Sequence, residues 1–264
     1  VRNRRLTPRT AGARGALAAA AASLCLAVAA CGGTAPEART QAPPSPTAGT
    51  VLDNPIDPAV LAMPLVDEQG RKVSLGALAG KTVVLTDFLT TCQEVCPMTS
   101  VNFRDAALAV RAAGLGDSVE FVEITVDPER DTPSRLAAYQ KLFGAQPNWH
   151  FMTAGTATAA LWKSLGVGYQ KTPAENPAPT DWLTGRKLTY DVAHQDVVFV
   201  IDAAGHERWI TQGNPSTDGH QPPATLNGFL NDEGRANLSA PSQPSWSARD
   251  IEAAVSYVTG KRVG

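Results

Sequence analysis

The chain has 264 residues, 43% of them hydrophobic, which is enough for one substantial core, and a formal net charge of −2. Four cysteines are too few for a disulfide-rich scaffold, and the mildly acidic balance argues against nucleic acid or an anionic lipid surface as a partner held by charge.

Residues 1–30 contain Arg2, Arg4, Arg5, Arg9 and Arg14, no acid, and a run of small apolar residues over 15–30. A basic start followed by an apolar stretch too short to span a bilayer comfortably reads as an export signal. The run closes on Val28-Ala29-Ala30-Cys31-Gly32, which resembles the lipobox of bacterial lipoproteins. That resemblance implies cleavage before Cys31, a lipid on its sulfur, and anchorage on the outer face of the bacterial cytoplasmic membrane. Arg4-Arg5 also invites a twin-arginine reading, but the following residues lack the rest of that pattern, so the export route stays open. Without the five arginines the balance becomes 18 basic minus 25 acidic residues, or −7. Cys25 lies in the apolar run, which leaves Cys92 and Cys96 as free thiols.

Residues 31–50, rich in Pro, Ala, Ser and Thr, read as a flexible tether, and residues 51–264 as the folded domain. Residues 65–75 have the pattern of a small hairpin turning at Gln69-Gly70. The nearly continuous apolar run at 82–89 predicts a buried strand, and Pro97 opens a helix to about residue 113. Residues 119–126 form the next buried strand, Thr132-Pro133 starts a helix to Phe143, 149–153 is a short strand, and 156–165 is helical. A hairpin pairs 197–201 with 207–210, and Ser247 caps a final helix over 248–259. The order β-α-β-α, then a β-hairpin and α, predicts an α/β, thioredoxin-like fold of the glutaredoxin and peroxiredoxin type, its central sheet covered by helices on both faces. Two Pro- and Asn-rich stretches, 170–193 and 211–245, are too long for simple connections.

The chemistry concentrates where the strand at 82–89 runs into Cys92 and Cys96 at a helix start. Unpaired N–H groups of a first helical turn favour a thiolate, which is expected to lower the Cys96 pKa. A thiolate serves both disulfide exchange and soft-metal binding, so location alone does not choose between them. The spacing C-x-x-x-C, one residue longer than the usual redox pair, opens the loop enough for two sulfurs to reach one ion. Two thiolates and one imidazole suit Cu(I), whereas structural zinc would want a fourth ligand. Among four histidines, His194 is the best third ligand because it ends a long loop immediately before a strand; His150, His206 and His220 read as structural or solvated. Asp87, in the strand before the thiols, is either a buried acid of the thioredoxin kind or a solvated strand-end residue. Asp127-Pro128-Glu129-Arg130-Asp131 reads as a strand exit and helix start, with Asp131 favouring the helix N-terminus, or as an acidic patch with Asp127 near the thiols.

Three separated segments, Thr91-Cys92-Gln93-Glu94-Val95-Cys96-Pro97, Val126-Asp127-Pro128-Glu129-Arg130-Asp131-Thr132-Pro133 and Asp191-Val192-Ala193-His194, resemble the signatures of the Sco/SenC proteins. These are thioredoxin-fold copper proteins that assist cytochrome c oxidase assembly. The resemblance implies one copper, as Cu(I) or Cu(II), held by Cys92, Cys96 and His194, and the copper-binding subunit of cytochrome c oxidase as partner. It leaves a competing role, thiol-disulfide reduction of the oxidase's copper-ligand cysteines, in which Cys92 attacks and Cys96 resolves. A Cys92–Cys96 disulfide would abolish metal binding. The chain departs from the family in having Gln93 in place of proline, Ala193 in place of an acidic residue before the histidine, and a longer insertion at 211–245. Loss of the carboxylate at 193 is expected to affect the orientation of the imidazole or the Cu(II) affinity.

Overall fold

Apolar stretches rich in β-branched residues lose most by facing water on either side, so they mark the middle of the sheet. The computed structural model describes residues 43–264; the export signal, Cys25, Cys31 and most of the tether lie outside the described residues. In chain order, β1 (Thr50–Pro55) and a short α1 (Pro58–Leu61) precede a hairpin of β2 (Leu65–Asp67) and β3 (Lys72–Val73). Then β4 (Thr82–Phe88), α2 (Cys96–Ala112), β5 (Val119–Thr125), α3 (Pro133–Phe143), β6 (Trp149–Thr153) and α4 (Thr158–Ser164) alternate. A ribbon of β7 (Gln170–Pro173) and β8 (Tyr190–Ala193) leads into the hairpin of β9 (Val197–Ile201) and β10 (His206–Gln212), followed by α5 (Asp232–Ser239) and α6 (Ala248–Thr259).

Eight strands form one sheet in the order β1-β10-β9-β4-β5-β6-β2-β3. Strands β4, β5 and β6 run parallel, β9 is antiparallel to β4, and β10 is antiparallel to β9. The block β10-β9-β4-β5 with its helices is the thioredoxin-like core expected from the element order. Right-handed crossovers that step the same way, from β4 to β5 to β6, put α2 and α3 on one face, where α2 also packs on α6. The return from β6 to β9 passes back across the sheet through α4, whose Leu161 and Trp162 are fully buried. Every residue of β4 and β5 is buried, in β4 as its nearly continuous apolar pattern predicts, and in β5 together with Glu120 and Glu123.

The two long stretches are not featureless loops. Residues 170–193 contain the antiparallel ribbon in which Gln170 faces Ala193 and Pro173 faces Tyr190. Residues 211–245 contain α5, capped by the Asn231 side chain on the Gly234 amide at 2.8 Å. This insertion docks through Phe229, whose ring lies 5.7 Å from Tyr139 and 5.3 Å from Trp182, with Leu226 and Leu230 also buried. The last helix keeps its sequence-expected limits because Ser247 and Asp250 form a reciprocal capping box. Among the described residues, no helix is long and apolar enough to cross a membrane.

Candidate metal centre

Strand register explains why residues far apart in sequence meet at Cys92. In the antiparallel pair β4–β9, Thr86 faces Val198, so the chain just before β9 lies beside the C-terminal end of β4. That end leads into the cysteine turn, and the residue three places before Val197 is His194. The His194 Nε2 atom lies 3.4 Å from Cys96 Sγ, although 98 residues separate the two.

The other imidazole nitrogen is held from below. His194 Nδ1 is 2.7 Å from Asp87 Oδ2, and Asp87 Oδ1 accepts the Val197 amide at 2.7 Å. Asp87 is fully buried, so of the two sequence readings of this residue the buried acid is the one observed. A carboxylate on Nδ1 directs Nε2 toward the sulfur. The orientation that the absent acid at Ala193 put in doubt is thus supplied from a neighbouring strand. Burial pulls the His194 pKa down, but the hydrogen bond to Asp87 and the charge of Asp196 outweigh it and push the value up to about 9.

The two thiols differ. Cys96 is the first residue of α2 and is fully buried, whereas Cys92 is partly buried and lines the cleft; both are free. The expected lowering of the Cys96 pKa is reversed, because burial and the neighbouring Cys92 sulfur raise it well above the ordinary thiol value. Cys92 takes the lowered pKa instead: it accepts a hydrogen bond from the Cys96 thiol, and the Cys96 amide points at its Sγ at 3.5 Å. The helix start therefore favours a thiolate one turn upstream of the residue that begins it.

Cys92 and His194 line a cleft of about 160 Å³ whose rim carries Glu94, Glu175, Asp191 and Asp196. Of these, Asp196 comes closest to the thiol and imidazole. Donor atoms of Cys96, His194 and Asp196 lie within 4.8 Å of one another, the one such trio among the described residues. Sequence reasoning missed Asp196; the signal was a carboxylate two residues after the candidate histidine, in His194-Gln195-Asp196.

The acidic motif positions the site from outside it. Buried Asp127 is not a wall of the cleft: it pairs with Arg130 and accepts the Tyr190 hydroxyl at 2.8 Å, while Arg130 also donates to the Tyr190 carbonyl at 2.9 Å. Asp127 thereby anchors the start of β8, the strand that ends in Ala193 and delivers His194. Asp131 does not serve its helix N-terminus, where Thr132 is the cap. Its carboxylate turns inward, accepting the Thr90 amide at 3.1 Å and the Thr125 hydroxyl at 2.5 Å. Trp182 Nε1 donates to the Thr90 carbonyl at 2.7 Å, so the turn before Cys92 is tied to residues of the long stretch as well.

The insertion presses on the cysteine turn itself. Gln93 Nε2 donates to the Phe229 carbonyl at 2.6 Å, and Asn231 Nδ2 donates to Glu94 at 2.7 Å. The remaining histidines lie elsewhere: His150 between Glu68 and Glu120, His206 against Asp53 at 2.7 Å, and His220 against Asp105 at 3.1 Å.

Fold and site together define a thioredoxin-fold protein in which one buried thiol, Cys96, faces an imidazole and a second thiol, Cys92, lies against the first, at the turn after the central strand. Residues 60–221 match the SCO1/SenC family, and the chain belongs to that family. It is similar to the SCO1 protein homolog of Bacillus subtilis, 29% identical over 107 residues that cover 40% of this chain and 54% of the relative. It is also similar to the copper-bound structure of Arabidopsis thaliana ScoI, with 26% identity, a TM-score of 0.49, and coverage of 60% of this chain and 89% of that one. For copper-bound ScoI of Bradyrhizobium japonicum the corresponding values are 26%, 0.45, 64% and 97%. The chain spans about half the length of the first relatives it matches by sequence, 54% and 46%.

Proposed function

We propose that the chain is a copper metallochaperone that binds one copper ion through Cys92, Cys96 and His194 and delivers it to the copper centre of cytochrome c oxidase. The observation that carries this reading is the imidazole: His194 Nε2 is 3.4 Å from Cys96 Sγ while Asp87 holds the opposite nitrogen. Disulfide exchange needs only the two thiols, whereas a soft three-donor site needs the histidine as well. Thiolate and imidazole donors match copper, and the acidic rim of the cleft favours a cation. Membership of the SCO1/SenC family supports the oxidase as the recipient. The Val28-Ala29-Ala30-Cys31-Gly32 pattern supports export and a lipid anchor at Cys31 on the outer face of the cytoplasmic membrane.

A second reading, a thiol-disulfide reductase that keeps the oxidase's copper-ligand cysteines reduced, is favoured by the asymmetry of the thiols. Cys92 lines the cleft, partly buried, with a lowered pKa, and Cys96 is fully buried with a raised one. In that reaction the Cys92 thiolate attacks a partner disulfide, forming a mixed disulfide and releasing one partner thiolate. Cys96 then loses its proton and displaces the second partner thiolate, leaving a Cys92–Cys96 disulfide and a partner reduced by two electrons. An anaerobic Cu(I) titration of the reduced chain separates the readings. One equivalent bound by the parent, with affinity lost in Cys92→Ser, Cys96→Ser and His194→Ala, supports the chaperone. No binding by the parent, together with turnover of a protein disulfide that survives His194→Ala, overturns it.

A further inference from the structure

We infer that Asp196 is a fourth donor to the metal at Cys92, Cys96 and His194, and that its carboxylate sets how well the site retains Cu(II) relative to Cu(I); the inference rests on the copper reading above. Asp196 occupies the turn between β8 and β9 with a φ of +50°, in the left-handed region that a residue with a side chain enters at a cost. Aspartate tolerates this region when its short side chain bonds locally, yet Asp196 Oδ1 is buried with no hydrogen-bond partner. The backbone is pinned from the other side, where the Gly213 amide donates to the Asp196 carbonyl at 3.2 Å. The turn thus holds a carboxylate oxygen in the cleft, out of water and without a hydrogen bond, with the His194 imidazole beyond hydrogen-bond distance at 3.7 Å.

That oxygen faces the metal-binding atoms. Asp196 Oδ1 is 3.7 Å from His194 Nε2, the nitrogen that also faces Cys96 Sγ, and donor atoms of the three residues lie within 4.8 Å of one another. An unpartnered buried carboxylate oxygen costs free energy that a cation in the cleft relieves. The imidazole cannot serve as its lasting partner, because a metal bound at Nε2 displaces the proton there and leaves the carboxylate facing the ion. Two sulfurs and one nitrogen form a low-coordinate soft site that suits Cu(I). A hard oxygen raises the donor count to four and favours the divalent ion. Asp87 cannot play this part, since its two oxygens are engaged by His194 Nδ1 and the Val197 amide.

The test measures both oxidation states on the reduced, purified chain under anaerobic conditions: Cu(I) by competition with a chromophoric chelator, and Cu(II) by electron paramagnetic resonance and the thiolate-to-copper charge-transfer band. Asp196→Ala removes the donor, and Asp196→Asn keeps the shape and the tolerance of positive φ while removing the charge. The expected result is a loss of Cu(II) affinity of about tenfold or more in both variants, the lower end of what even a group behind a ligand is worth. The Cu(II) hyperfine pattern changes, and Cu(I) affinity stays close to that of the parent. An unchanged Cu(II) spectrum and affinity in both variants overturns the inference, as does an equal loss for both oxidation states, which would mark Asp196 as part of the turn only. Failure of the parent to bind either ion overturns the copper reading itself.

Discussion

Gly234→Ala pits two effects of opposite sign against each other. Gly234 lies in the first turn of α5 with an ordinary helical backbone, so replacing glycine with alanine there should stabilise the helix by up to about 1 kcal/mol. A Cβ at this position, however, would lie 2.1 Å from the Gln93 carbonyl oxygen and 3.1 Å from its carbon. The first distance is more than an ångström inside a normal contact, and the obstacle is backbone that no side-chain rotation can clear. Overpacking of this kind costs about 1–3 kcal/mol, so the net change is a destabilisation of up to about 2 kcal/mol. For a folded part of this size that lowers Tm by up to roughly 8 °C. Gln93 lies between the two thiols, so relief of the clash also shifts Cys92 relative to Cys96, and Cu(I) affinity falls with Tm. Thermal unfolding of the apo chain and Cu(I) competition measure both quantities. Gly228→Ala, in the same insertion with nothing within 4 Å of the added carbon, is the control. A Gly234→Ala chain that is more stable than the parent and binds copper equally well would refute the idea that α5 seats the cysteine turn.

Other outcomes follow from the same contacts. In Asp87→Asn one of the two oxygens that His194 Nδ1 and the Val197 amide reach separately becomes an NH2 group that cannot accept, so Cu(I) affinity falls about 10–100-fold in a chelator competition, while the two thiols still titrate with a thiol reagent. Glu123 is fully buried, and burial raises its carboxyl to about 8 against hydrogen bonds from Ser100 and Trp149. Between pH 4.5 and about 8 the unfolded chain gives up this proton and the folded chain keeps it, so this residue makes stability fall as pH rises, by up to about 1.4 kcal/mol per unit. Glu123→Gln removes that slope, which denaturant unfolding at pH 5 and pH 8 measures; an unchanged difference between the two pH values would count against the assignment. Phe229→Ala costs about 3–5 kcal/mol through the lost aromatic contacts with Tyr139 and Trp182, and proteolysis should then cut first within 211–245.

Elements whose sequence pattern coincides with their burial were legible. Thr82–Phe88 reads as a central strand because all seven residues are buried, and Ala248–Thr259 reads with correct ends because its capping box is local. Elements stabilised from outside themselves were not. Thr50–Pro55 is mostly exposed and exists as a strand through pairing with His206–Gln212, and Gln170–Pro173 has no alternation that would mark it as a ribbon. Helix α5, Asp232–Ser239, lacks an apolar stripe, although Asn231 followed by Asp232 and Glu233 is a helix-start signal that was available. The site divides in the same way. Cys92, Cys96 and His194 could be found from motif and position, but the pairing of Asp87 with His194 depends on the β4–β9 register. The assignment of the lowered pKa to Cys92 depends on Cys96 being the more deeply buried of the two, which the helix-start pattern alone does not reveal.

The measurement closest to the central claim is copper-edge X-ray absorption of the Cu(I)-loaded, reduced chain, recorded for the parent and for His194→Ala. The account predicts two sulfur scatterers and one imidazole nitrogen in the parent, with the imidazole scattering lost in the variant. An all-sulfur environment in the parent, or a spectrum that the His194→Ala substitution leaves unchanged, would contradict it.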